Sequence, residues 1–279
     1  MITKIPRISA SSYSNTAPLI WSFLYGSQHG KFELILDNAP ARSAELLAQK
    51  RVDCALVPVI EYQRIDDIFL VPDVCVGAKE RVRSVCLVTK GEDLKDVKTV
   101  ALDVSSKTSV ALTKIIFREF LNFEPQYETS KPNLEKMLAN ADCALLIGDP
   151  ALMIADSETS ENNGPRTKDK GQIRKFDLAE TWRSFTGFGF VFAMWMAQKS
   201  SIEIVRAIDF ASVRDEGLAH LDEIIANYET EIPFSREEFK KYLFGNITYS
   251  IDENMQKGLS LYFELAFKHN LISQLKMPD

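Results

Sequence analysis

The sequence has few of the residues that build metal centres and disulfide frameworks. Its 279 residues include only four cysteines and three histidines. No two cysteines form a CxxC pair, and the isolated histidines, His29, His220 and His269, lack the spacing of zinc ligands. We therefore expect no metal site and no resident cofactor. We also expect the cysteines to be small buried side chains in a reducing compartment.

Positive charge is also scarce. Lysine and arginine number 33 against 39 aspartates and glutamates, which gives a formal net charge of −6. Proteins that bind nucleic acids or anionic membranes usually present an excess of basic side chains. We therefore do not expect a nucleic acid or an anionic membrane surface as a partner.

Long apolar runs are missing as well. The uncharged stretch at 184–198 is shorter than the roughly 20 residues that span a bilayer. The uncharged N-terminal stretch at 8–29 begins with a polar segment, unlike the apolar region of a signal peptide. The sequence thus predicts a cytoplasmic protein with no membrane partner.

What the sequence does contain is an alternation of short apolar runs and amphipathic segments of helical length. With 46% hydrophobic and 26% charged residues, the chain has the composition of an ordinary globular protein. The pattern predicts strands at 7–11, 32–37, 54–60, 84–89, 99–103, 143–147 and 190–196. It predicts helices at 17–25, 42–49, 107–121, 133–138, 177–185, 201–228, 235–243 and 253–269. This order indicates an α/β architecture with mostly parallel sheet.

The part of the chain after 196 differs, because it is almost entirely helical. Two α/β units followed by helices are typical of a two-lobed protein whose first lobe is discontinuous. We predict lobe I at residues 1–90 and 190–279 and lobe II at 91–189, with glycine-marked crossings at 91–93 and 187–189. Ligands of such folds bind beyond the carboxyl ends of the strands, here in the cleft between the lobes.

The first candidate site lies at the start of the first helix. Asn15 and Thr16 follow a strand, and Pro18 stands in the first turn of the next helix. Either polar residue can cap this helix, and the free N–H groups of its first turn favour an anion. A plain cap without a ligand is the alternative.

A second candidate site lies at the start of the helix at 107. Ser105, Ser106, Thr108 and Ser109 crowd this helix start together with Lys107. Capping needs only one hydroxyl, so the excess suits a carboxylate or a phosphate. The segment is not a Walker loop, because the glycines of GxxxxGK[ST] are missing, and GxGxxG is absent too.

Three further polar residues stand at the ends or starts of buried strands. Asp149 can orient a ligand group, or it can cap the next helix with Pro150 at the first helical position. Glu61 can face the cleft or cap the following turn, and Ser84 at a strand start is by itself a structural residue. The residues alone therefore indicate a two-lobed α/β binder of a small anion, without defining a reaction.

Several motifs in the same order resemble the chorismate dehydratase family of the futalosine route to menaquinone. They are YSNTAPL at 13–19, VDCALVP at 52–58, SV at 84–85, SSKTS at 105–109, IGD at 147–149, DL at 177–178, Trp182, TG at 186–187 and FVFA at 190–193. The resemblance covers residues 7–197, and the helical tail matches weakly. Three positions depart from the usual family pattern, with Lys107 at a place often held by Arg, Pro150 where Ala is usual and Gly189 where Pro is usual.

The resemblance implies a type 2 periplasmic-binding-protein fold that has become a hydro-lyase. The implied reaction dehydrates chorismate, a small dianion, to 3-[(1-carboxyvinyl)oxy]benzoate. Asn15 and Ser84 would lie nearest the reacting centre as catalytic residues. The expected substrate-binding residues are Thr16, Glu61, Ser105, Ser106, Thr108, Ser109 and Asp149.

Two other functions are compatible with the same fold. One is a non-catalytic solute-binding protein for small anions. The other is the sister enzyme 1,4-dihydroxy-6-naphthoate synthase, which resembles this family in fold but carries a different N-terminal motif and a catalytic histidine. None of the three histidines of this chain lies in a candidate site, which favours the dehydratase.

Overall fold

Two five-stranded sheets form the centre of the structure. The computed structural model describes residues 5–154, 173–232 and 234–278. The strands are β1 (Arg7–Ser11), β2 (Glu33–Asp37), β3 (Cys54–Pro58), β4 (Ile68–Ala78), β5 (Val85–Thr89), β6 (Thr99–Asp103), β7 (Gln126–Ser130), β8 (Cys143–Ile147), β9 (Arg174–Asp177) and β10 (Phe190–Gln198). The two-lobed α/β fold predicted from the sequence is thus present.

Both sheets have the same internal order. The first runs β2-β1-β3-β10-β4 and the second runs β7-β6-β8-β5-β9. In each sheet three strands are parallel, while the fourth, β10 or β5, is antiparallel to both of its neighbours. The prediction of mostly parallel sheet is therefore wrong for half of the pairs, because β5 and β10 each follow a crossing from the other sheet.

The sequence pattern did not predict three of the strands. The strand β4 contains Pro72 and has Asp73 in the left-handed region at φ 63°, so its apolar pattern is interrupted. The strands β7 and β9 lie at the edges of the second sheet and are mostly exposed or half-buried. Their polarity hides them from a search for apolar runs.

Helices cover both sheets. They are α1 (Ala17–Leu24), α2 (Pro40–Ala48), α3 (Lys107–Ile115), α4 (Leu134–Asn140), α5 (Gly148–Leu152), α6 (Leu178–Thr186), α7 (Ile202–Arg206), α8 (Phe210–Ala219), α9 (Leu221–Tyr228), α10 (Arg236–Lys241) and α11 (Glu253–Lys268). The single helix predicted at 201–228 is wrong, because it is three helices. Asp209 starts a new helix as the N-cap of α8, since its carboxylate accepts the N–H of Ser212 at 3.0 Å.

The bounds of the two lobes remain a prediction. The first sheet combines strands from before residue 79 with β10, in agreement with a discontinuous first lobe. The strand β5, however, pairs within the second sheet, although the predicted bounds assign it to lobe I. One large apolar cluster reaches from the first sheet to the inner side of the second.

Two smaller observations complete the fold. The four cysteines are buried, as predicted. Within the described ranges, no helix combines the length and the apolar character needed to cross a bilayer.

Candidate active site

A small cavity lies between the two sheets, at the ends of β1, β3 and β8 and the start of β5. Its volume is about 50 Å³. Its polar lining residues are Ser11, Tyr13, Asn15, Thr16, Ser106 and Ser109, and apolar side chains from both sheets complete the wall. Within the described part of the chain, the lining contains no charged side chain. The cavity thus offers neutral hydrogen-bonding groups in an otherwise apolar setting.

The first helix start contributes Asn15 and Thr16. Both are buried, in a 3₁₀ turn at Ser14–Thr16 that precedes α1. The predicted side-chain cap is wrong, because the Thr16 hydroxyl donates backwards to the carbonyls of Ser11 and Tyr13 at 2.6 and 2.8 Å. The Asn15 side chain lines the cavity and lies beside the phenol of the buried Tyr242.

The second helix start contributes Ser106 and Ser109. Ser106 caps α3 by accepting the Ser109 N–H at 3.3 Å, and the two hydroxyl oxygens lie 3.1 Å apart. Ser105 does not line the cavity, but its N–H donates to the buried Asp103 carboxylate at 2.9 Å. Burial raises the pKa of Asp103, and the bonds from Ser105 partly oppose this. The predicted anion site therefore divides into two hydroxyls at the cavity and a supporting residue behind them.

Thr108 and Glu61 link the two lobes instead of lining the cavity. The Thr108 hydroxyl oxygen accepts the N–H of Ile60 at 3.2 Å. The Glu61 carboxylate pairs with Lys107 at 3.4 Å and with Arg64 at 3.1 Å. In this structure both of these expected substrate-binding residues already have partners within the protein, and Lys107 points to Glu61.

Asp149 also joins the lobes. The N–H of Ser14 donates to its carboxylate at 3.2 Å, and the Ser14 hydroxyl donates to the same group. The alternative of a helix cap is wrong, because α5 already begins at Gly148 with Ile147 at its N-cap. Burial raises the pKa of Asp149, and the hydrogen bonds from Ser14 oppose that rise.

Ser84 is fully buried immediately before β5, behind the cavity wall. The buried carboxylate of Asp177 holds the preceding turn by accepting the N–H groups of Val82 and Arg83 at 3.2 and 2.6 Å. The Ser84 carbonyl accepts the N–H of Gly148 at 2.7 Å. Asp177 was noted in the sequence only as part of a family motif. Its positioning role depends on a turn far from it in the chain, for which the sequence carries no signal.

Two of the histidines, His220 and His269, make contacts away from the cavity. His220 stacks on Trp21 with ring centroids 3.8 Å apart, and His269 bonds to Glu119 at 2.7 Å. Neither belongs to the cavity lining. The catalytic histidine expected of the sister enzyme therefore has no counterpart among these two.

The fold matches solved structures at low sequence identity. Protein AF1704 from Archaeoglobus fulgidus aligns with a TM-score of 0.70 and 17% identity, covering 95% of this chain and 98% of its own. The periplasmic aliphatic sulphonate binding protein SsuA from Escherichia coli aligns with a TM-score of 0.61 and 14% identity, covering 97% and 89%. These likenesses establish a periplasmic-binding-protein-like fold and carry no information on activity.

The sequence itself matches more specifically. A chorismate dehydratase from Thermus thermophilus is 31% identical over 263 residues, which are 90% of this chain and 92% of the relative. The family model described as "Menaquinone biosynthesis" matches residues 6–268. The chain therefore belongs to this menaquinone biosynthesis family.

Proposed function

We propose that this protein is a chorismate dehydratase that converts chorismate to 3-[(1-carboxyvinyl)oxy]benzoate and water. The observation that carries the proposal is the wall of the cavity, where Asn15 from one lobe meets Ser106 and Ser109 from the other. The identity to a curated chorismate dehydratase supports the same reaction. A dianion bound there meets neutral donors at two helix starts.

The reaction suits a site without a strong acid or base. Water loss removes a ring hydroxyl and the hydrogen on the neighbouring carbon, which makes the ring aromatic. That hydrogen is vinylogous to the ring carboxylate, so the carbanion left behind delocalises its charge into this carboxylate. Donors placed on the carboxylate stabilise the charge as it develops.

The polar residues divide into two groups in this proposal. Asn15 and Ser84 act nearest the reacting centre, and Ser106 and Ser109 bind one substrate carboxylate. Thr16 and Ser105 shape the two helix starts through the bonds to Ser11, Tyr13 and Asp103. An asparagine amide is not a general base. The enolpyruvyl carboxylate of the substrate therefore takes the ring proton, the electron pair left on the ring expels the hydroxide from the adjacent carbon, and this hydroxide takes the proton back from the carboxyl group to leave as water.

Thr108, Glu61 and Asp149 bind substrate indirectly, by holding the lobes together around it. The cavity of about 50 Å³ is much smaller than the roughly 300 Å³ at the lower end of small-molecule pockets. Chorismate thus enters after the lobes move apart. The interlobe bonds of these three residues re-form as the site closes and excludes water.

The direct test is to mix the purified protein with chorismate and follow the loss of one water by mass analysis. Product above the spontaneous background supports the proposal. Chorismate that binds but stays unchanged would favour a solute-binding protein. If the protein neither binds nor converts chorismate, chorismate is excluded as its ligand.

Asn15→Ala tests the assigned role. We expect kcat to fall by about 100-fold or more, the effect of removing a donor that acts on developing charge. The thermal midpoint should change little. Asn227→Ala makes the same change at an exposed position of α9 and should leave kcat unchanged. Unchanged turnover in Asn15→Ala would contradict the assignment.

A further inference from the structure

Two tyrosines of the helical tail carry buried hydroxyl groups for which the described part of the chain provides no well-placed acceptor. Tyr242 is fully buried and Tyr249 is 5% exposed. Among the described residues, neither hydroxyl makes a hydrogen bond of acceptable geometry. Leaving such a donor unpaired costs stability that a phenylalanine would avoid. Each hydroxyl therefore calls for an explanation beyond packing.

The two hydroxyls have different surroundings. Tyr242 begins the π-helical turn Tyr242–Asn246, and its ring stacks on Phe239 with centroids 6.1 Å apart. Its hydroxyl lies beside the polar side chains of Ser84 and Asn15, which tend to lower the pKa of the phenol. Burial outweighs them and raises the pKa, so the phenol stays protonated and serves as a donor. The pKa of the Tyr249 phenol is raised too, because the phenol is buried and lies near Tyr242 and Tyr228.

Ser84 precedes a strand of the second sheet and Asn15 follows a strand of the first, and both side chains lie beside Tyr242. The Ser84 hydroxyl makes one long hydrogen bond of 3.5 Å, to the carbonyl of Val82. Such a long bond leaves this hydroxyl able to turn toward the phenol of Tyr242. A fixed donor behind them selects the rotamer in which their own donors point into the cavity.

We infer that Tyr242 is a positioning residue whose hydroxyl orients Ser84 and Asn15 toward the substrate. This inference rests on the proposed function of the same site. A small rotation of Ser84 or Asn15 lets Tyr242 donate to the oxygen of that side chain, whose own O–H or N–H then faces the cavity. The π-helical turn places the phenol there, in keeping with the frequent occurrence of such turns at functional sites.

The test compares Tyr242→Phe with Tyr249→Phe. Each removes one buried hydroxyl without an acceptor and keeps the ring. We expect Tyr242→Phe to lower kcat about tenfold with KM changed by less than about twofold, because the loss acts on the transition state. Its thermal midpoint should stay equal or rise. Tyr249→Phe should leave kcat and KM unchanged. Equal kcat values in the two variants would overturn the inference.

A double-mutant cycle with Ser84→Ala tests whether Tyr242 acts through Ser84. If it does, the double variant is about as slow as Ser84→Ala alone. Independent effects that multiply in kcat would overturn the role through Ser84. The same four proteins give a readout without turnover, since coupled side chains shift the thermal midpoint non-additively.

This second readout separates the two proposals. A wild-type protein that does not dehydrate chorismate overturns the proposed function alone. Tyr242 is then judged by the thermal cycle. Additive midpoints overturn its contact with Ser84, and non-additive midpoints support it.

Discussion

Asp149 of the second lobe accepts both the backbone N–H and the hydroxyl of Ser14 of the first lobe. The carboxylate is buried, and the two donors compensate for the loss of its hydration. Because the two residues belong to segments that follow β1 and β8, their bonds join the lobes directly beside the cavity.

Ser14→Ala should weaken the closed state. Removing one hydrogen bond to a charged group costs about 1.5 kcal/mol, which lowers kcat/KM about tenfold when closure is needed for turnover. The measurement is steady-state kinetics with chorismate. Ser22→Ala is the matched control, because the Ser22 hydroxyl donates to Glu216 within the first lobe. It should lower the thermal midpoint and leave kcat/KM unchanged, and a similar loss in both variants would argue against the closing role.

Gly148→Ala should be far more costly than Gly187→Ala. Both glycines have positive φ, at 64° and 76°. A Cβ on Gly148 would lie 2.7 Å from the ring of Tyr13, whereas nothing lies within 4 Å of one on Gly187. We expect a loss of about 2 to 4 kcal/mol for Gly148→Ala and about 1 kcal/mol for Gly187→Ala. Urea unfolding measures both, and equal losses would show that the ring moves aside without cost.

Thr108→Val should lower the free energy of unfolding, whereas Thr113→Val on the same helix should not. The Thr108 hydroxyl oxygen accepts the N–H of Ile60, so its loss leaves a buried donor unpaired at about 1 to 3 kcal/mol. The buried Thr113 hydroxyl has no partner among the described residues, so valine there should be neutral or stabilising. Urea unfolding of the two variants is the measurement. A loss in Thr113→Val as large as in Thr108→Val would contradict this account.

Asp103 should make the protein less stable as the pH rises. Burial raises its pKa in the folded chain above the ordinary value of about 3.9. Between the two pKa values the folded chain binds more protons than the unfolded chain, so the free energy of unfolding falls with pH. The stability of the wild type relative to Asp103→Asn should therefore decrease from about pH 4 upward and become constant above the raised pKa.

Asp209 provides the control with the opposite sign. Its hydrogen bonds from Ser212 lower the pKa of this exposed carboxyl group. The wild type should therefore gain stability relative to Asp209→Asn as the pH rises to the ordinary carboxyl pKa, and lose it on acidification. Unfolding measured across the pH range tests both signs, and parallel curves for the two aspartates would contradict the assignment.

The strands β6 and β8 have the bounds predicted from the sequence. Both are apolar runs closed by polar residues, so the local pattern is enough to define them. The strand β4 was missed because Pro72 and the left-handed Asp73 interrupt its pattern, and only pairing with β10 extends it over eleven residues. Pairing between distant segments is not encoded in a local period.

The candidate site was likewise predicted in part by local patterns and in part decided by contacts between distant segments. The two helix starts could be found in the sequence, because a hydroxyl or amide after a strand marks the start of a helix. The sequence could not show which of these groups reach the cavity. Ser106 and Ser109 line it, whereas Thr108 turns away to Ile60. Tyr242 gave no signal and Asp177 stood out only within a family motif, since the roles of both depend on segments that meet only after folding.

The sequence by itself determined the α/β alternation, the capped start of α3, the burial of the cysteines and the family. These properties depend on side chains a few residues apart, or on motifs in a fixed order. The tertiary structure alone decided that Glu61, Thr108 and Asp149 bond across the lobes and that Tyr242 meets Ser84 and Asn15. The physical reason is that a side chain's partners are set by the packing of segments from both sheets, which no local pattern contains.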